Sequence, residues 1–69
     1  MQEFRYTNTL GFRKILNINE TPDADGKYHC ILWSADNGEL CGSGNLTLDE
    51  IKEYFKNNHI DGAFEPKEA

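Results

Sequence analysis

The sequence predicts an α+β fold: a three- or four-stranded antiparallel meander with one C-terminal helix packed on one of its faces. Three observations lead there. Residues 46–59 carry an apolar stripe at helical spacing behind a full set of helix-start signals. Residues 10–18 alternate, and residues 27–35 run apolar, as strands do. Asn37-Gly38 lies between two strand-like segments, the strongest short hairpin signal. With 69 residues the chain makes a single small domain, residues 1–69. A domain of this size buries only about 60% of the surface its unfolded chain exposes. One thin core fits within it, and a deep catalytic pocket does not.

In residues 1–9, Phe4 and Tyr6 alternate with Arg5 and Thr7, which suits a short edge strand or an ordered arm. From Leu10 to Ile18 the even positions read Leu10, Phe12, Lys14, Leu16 and Ile18 against Gly11, Arg13, Ile15 and Asn17, the pattern of a half-buried strand. Residues 19–26 are polar and punctuated by Pro22 and Gly26, an exposed loop. Asp23-Ala24-Asp25-Gly26 matches the middle of a calcium loop, but Thr21 would stand first and Leu32 twelfth, so a plain acidic turn is expected.

Lys27–Ala35 is the strongest strand, apolar on both faces as a central strand should be. A type I′ turn at Asn37-Gly38 would set Trp33 opposite Gly42 and Ile31 opposite Gly44, placing bulky side chains over empty positions. In the returning strand, residues 40–45, Gly42 and Gly44 mark a bulge or a close backbone approach.

The helix follows. Thr47 is its N-cap and Glu50, three residues on, completes a capping box. Leu46 and Ile51 are placed for a hydrophobic staple; Leu48, Ile51 and Phe55 form the buried stripe, with Tyr54 at its edge. Ile60-Asp61-Gly62 reads as the stop. Residues 63–69 read as a loose tail, in which the lone aromatic Phe64 either docks on the sheet or awaits a partner.

Charge narrows the function. The net charge is −5, and residues 36–69, with eight acids and three bases, account for all of it. Such a chain repels nucleic-acid phosphate, so direct nucleic-acid binding is not expected. A protein partner with a basic surface is the electrostatic complement. No apolar h-region opens the chain and no stretch approaches ~20 apolar residues, which leads to an expectation of a cytoplasmic protein with no membrane contact.

Reactive chemistry finds little support. Cys30 and Cys41 are expected as free thiols, since the expected register keeps them apart. With His29 and His59 they show no zinc spacing. A Cys–His nucleophile pair would need His59 to reach Cys30 or Cys41, and no motif surrounds either. Gly42-Ser43-Gly44-Asn45 before a helix resembles a phosphate loop, but lacks its Gly-Lys-Ser/Thr, and Asp49 and Glu50 place negative charge where the phosphate would sit. No metal, no cofactor and no enzymatic activity are expected.

A protein-binding module is the leading expectation. Its candidate partner-binding residues are Asp36 and Glu39 of the hairpin, Asp49, Glu50 and Glu53 of the helix, and the aromatics Tyr28 and Phe64. A small, acidic, motif-free chain is similar in size and charge to phage-encoded inhibitors of bacterial defence, including anti-CRISPR proteins and DNA mimics. That likeness implies an inhibitor that occupies a basic or apolar surface on its partner. The alternatives are a structural or regulatory homodimer with the sheet as its interface, because one helix covers only one sheet face, and a small cysteine-dependent enzyme.

Overall fold

In the computed structural model, which describes residues 1–67, four strands form one open antiparallel sheet in chain order: β1 (Gln2–Thr7), β2 (Arg13–Ile18), β3 (Tyr28–Ser34) and β4 (Leu40–Leu46). Helix α1 (Leu48–Asn57) follows directly. The fold is the expected α+β meander, with the edge strand at residues 1–9 present as β1.

The expected strand at Leu10–Ile18 starts later, at Arg13, because the chain turns first. The Asn8 side chain accepts the amides of Leu10 (3.0 Å) and Phe12 (2.9 Å), and Gly11 supplies left-handed backbone at φ 89. Leu10 and Phe12 therefore sit in the β1–β2 turn, 79% and 56% exposed, rather than on the strand's buried face.

The β3–β4 register also differs. Asn37 does not adopt positive φ, so the type I′ turn does not form. Residues 35–38 make a longer loop, closed by Ser34 N–H to Glu39 O at 2.8 Å, with Gly38 left-handed at φ 73 and the Asn37 side chain accepting the Glu39 amide. Trp33 consequently faces Leu40, not Gly42, and the step between Leu32 and Trp33 leaves Cys41 unopposed as a bulge. Beyond it Gly42 faces Leu32 and Gly44 faces Cys30. The glycines thus belong to the helix-covered face. Slipping the register by one residue exchanges the faces of a strand, and here it moves both glycines.

Even-numbered residues of β1 and β2 share that face with Tyr28, Cys30 and Leu32 of β3. The core gathers there: Leu16, Ile18, Tyr28 and Cys30 from the sheet, Ile51 and Phe55 from α1, and Ile60 and Phe64 beyond it. Phe4 meets Phe55 edge-on at 4.8 Å.

The capping box forms as expected, with Glu50 N–H donating to Thr47 Oγ1 and Thr47 N–H to Glu50 Oε1. At the other end Ile60 N–H bonds the Phe55 carbonyl at 3.0 Å and His59 N–H the Lys56 carbonyl at 3.4 Å, a Schellman motif whose left-handed residue is His59, at φ 53. The left-handed stop thus comes three residues before Gly62.

The expected loose tail is tied down through residue 67. Phe64 packs edge-on against Tyr28 at 5.1 Å, Glu65 exchanges two hydrogen bonds with the Gln2 side chain, and Lys67 binds Glu20 through backbone (3.0 Å) and side chain (3.1 Å). Residues 68–69 of that tail lie outside the described residues. No helix among the described residues is long and apolar enough to cross a membrane.

Candidate functional site

The helix does not cover its whole face of the sheet. Its axis carries Phe55 to Phe4 and Tyr54 to Tyr6 on the β1 side, leaving the β3–β4 side partly bare. The result is a groove of about 300 Å³. Leu16, Cys30 and Leu32 lie at its base, Gly42, Gly44 and Leu46 along β4, and Tyr54 on the helix side. A Cβ built at either glycine meets nothing within 4 Å, so neither residue is glycine to let another part of this chain approach. Their effect is to leave space. Neither has positive φ, and both accept ordinary strand backbone.

The groove runs along a sheet edge. Among the described residues β4 pairs only with β3, so the N–H and C=O groups of its outer side lie along that edge. Edge strands are usually guarded by charge, proline or bulges. The opposite edge, β1, carries Glu3 and Arg5, which pair at 3.0 Å. β4 reads Leu-Cys-Gly-Ser-Gly-Asn-Leu, with no charged side chain and its bulge confined to Cys41.

Two polar pairs flank this region. The Tyr6 and Tyr54 hydroxyls lie 2.5 Å apart, and burial, with the Tyr54 hydrogen bond second, raises the Tyr6 pKa well above its usual value. Lys14 Nζ donates to Cys41 Sγ at 3.4 Å. Burial also raises the Cys30 thiol, whose Sγ donates to the Tyr28 carbonyl. Neither thiol is hydrogen-bonded to a histidine among the described residues. No group of three or more His, Cys, Asp or Glu is gathered there for a metal.

The acids named from sequence fall in two places. Asp36 and Glu39 stand at the β3–β4 loop, where Arg13 Nε binds Asp36 at 2.8 Å. Asp49, Glu50 and Glu53 lie on α1, which begins beyond the other end of β4, a strand length of roughly 20 Å away. They form no single patch. Around the helix at 100° per residue, Glu50 falls about 40° from Tyr54, Glu53 points away from the sheet, and Asp49 falls beside Lys56, whereas Lys52 lines a separate hollow with Leu48 and Phe64. The helix thus sets Glu50, of its three acids, on the groove side and its lysines away from it. Hydrogen bonds from Thr47, backbone first, hold the Glu50 carboxyl below its usual range.

Tyr28 and Phe64, expected to meet a partner, are each 8% exposed and packed on one another, so they serve the core. The groove residues Leu16, Leu32, Leu46 and Tyr54 read in the sequence as strand, staple and helix-edge positions, and nothing there marked them as a groove. Gly42 and Gly44 did stand out, though as a close approach rather than as open space.

Comparison with protein families, with curated proteins and with solved structures finds no match to this chain.

Proposed function

We propose that the protein is a binding module that receives an extended segment of a partner protein along β4, with apolar residues at alternate positions and lysine or arginine beside them. The two glycines carry this reading. Strand residues that touch nothing and hold no special backbone angle weaken the sheet by roughly 0.5–1 kcal/mol each relative to alanine. Here they open a groove beside an unguarded edge. An added strand satisfies the outer N–H and C=O groups of β4, and every second side chain of that strand turns toward Tyr54 and the space above Gly42 and Gly44. Glu50 on the helix side, with Glu39 at the loop end, favours basic flanks. An inhibitor of the kind this chain is similar to in size and charge would act by occupying such a segment on its target.

A displayed library of short linear peptides, selected on the protein in reducing buffer, tests the reading. Selected sequences should alternate apolar residues and carry Lys or Arg at their ends. Filling the groove with Gly42→Val and Gly44→Val should weaken the best peptide at least about tenfold, some 1.4 kcal/mol. The fold should survive, because both new side chains enter open space. Equal affinity for the filled variant, or selected peptides without alternation, would overturn it.

A further inference from the structure

Among the described residues, the second face of the sheet has no layer over it. On it lie Ile15, Ile31, Trp33 and Leu40, with Ile15 directly opposite Trp33 and Trp33 directly opposite Leu40, a continuous apolar row across three strands. Leu40 is 59% exposed, and Ile15, Ile31 and Trp33 are only half-buried. Asn17, His29 and Asn45 border the row, and His29 Nδ1 and Asn45 Oδ1 lie 2.9 Å apart. A tryptophan-centred apolar patch inside a polar rim is the anatomy of a protein interface.

We propose that this face binds the same face of a second copy of the chain, giving a two-fold symmetric dimer of sheet on sheet. The proposal goes beyond the peptide groove, which lies on the other side of the sheet, and stands independently of it. Charge selects the occupant. The protein carries −5 overall, and two copies repel wherever their acids face each other. On this face the charges cancel: Glu3 pairs with Arg5, and Arg13 with Asp36. Asp49, Glu50 and Glu53 belong to the helix, which covers the opposite face. A basic partner gains nothing here, whereas a second copy meets a neutral, apolar surface like its own. The broad side of the molecule measures 35 by 22 Å, an outline of about 770 Å², comparable with the roughly 800 Å² per partner that standard interfaces bury. Two twisted sheets stack face to face about 10 Å apart with interdigitating side chains, and the exposed Leu40 would fill against its counterpart's row.

Trp33, the one tryptophan of the chain, reports on the interface directly. The test is sedimentation equilibrium of the full chain with a reductant present, so that exposed Cys41 cannot crosslink copies, alongside Trp33 emission on dilution. The expected result is a species of twice 7.9 kDa whose dissociation shifts Trp33 emission to the red. Ile15→Lys on β2 and Leu40→Glu should each return the mass to 7.9 kDa with the far-ultraviolet spectrum unchanged. Glu53→Lys and Gly44→Val, on the helix side, should leave the dimer intact. A monomer at concentrations up to about 1 mM would overturn the proposal. So would a dimer that survives Ile15→Lys or is lost with Gly44→Val, since that dimer would be joined elsewhere, by the β4 edge.

Discussion

His59 holds left-handed backbone at φ 53, where a residue with a Cβ is strained by roughly 1–2 kcal/mol and glycine is not. It ends α1 because the next residue, Ile60, gains burial in the core by the turn His59 makes. His59→Gly should therefore raise stability by about 1 kcal/mol, a rise in Tm of roughly 4–8 °C for a domain of this size, read by thermal denaturation. The second residue with a measurable signature is Glu50. Its carboxyl titrates lower in the folded chain than in the unfolded one, held down by the Thr47 hydrogen bonds. The stability from that difference is fully present above the ordinary glutamate value of about 4.3 and is lost as pH falls through the lower, folded value. Glu50→Gln keeps an acceptor in the capping box but cannot titrate. Its Tm should fall less steeply than the native protein's as pH drops below about 4. Glu20, lowered by its hydrogen bond from Lys67, retains its own share of that acid sensitivity in both proteins. The capping box was legible in the sequence because Thr47 and Glu50 act within one turn. The part played by His59 was not, since nothing local announces a strained residue that a distant core makes worthwhile.

Elements differ in how far their ends could be read. The helix carries its own boundary signals. The strands do not, and Leu10 and Phe12 continued an alternation that the Asn8 side chain and Gly11 interrupt. The hairpin after β3 is the sharper case. Asn37-Gly38 signals a turn, and a turn is there, but Asn37 spends its side chain on the Glu39 amide and Gly38 alone takes the left-handed position. A four-residue loop and a bulge at Cys41 replace a two-residue turn, and the groove exists because of that difference. The tail is likewise an element rather than an end. Removing the Phe64 ring, which is packed on Tyr28, should cost about 3–5 kcal/mol. A chain of this length has roughly 3–10 kcal/mol in total. Phe64→Ala should then lower the urea midpoint by at least a third, or leave the protein unfolded in water. A shift within the scatter of surface substitutions would mean that the tail is not part of the core.

At the scale of the whole molecule, a thin two-layer protein carries Asp49, Glu50 and Glu53 on the helix and leaves the other side of its sheet neutral. That division predicts opposite responses to salt. Raising ionic strength shortens the screening length from about 10 Å at 0.1 M to about 3 Å at 1 M. Binding of a basic-flanked peptide on the β4 side should weaken over that range, whereas association through Ile15, Trp33 and Leu40 should hold or tighten, as titration and sedimentation in the same buffers would report. If both weaken together, the two surfaces do not divide the charge in this way. The sequence by itself determined the α+β class, the order of the elements, the N-cap of the helix and the uneven placing of charge, because periodicity, capping and composition act between near neighbours. Only the tertiary structure decided that Gly42 and Gly44 face the helix, that Tyr28 and Phe64 bury one another, and that the acids separate into two groups. Each of these depends on register and on where the helix lies across the sheet. A single-residue slip costs nothing in local pattern but exchanges every face, so the packing of the whole chain alone can choose between the alternatives.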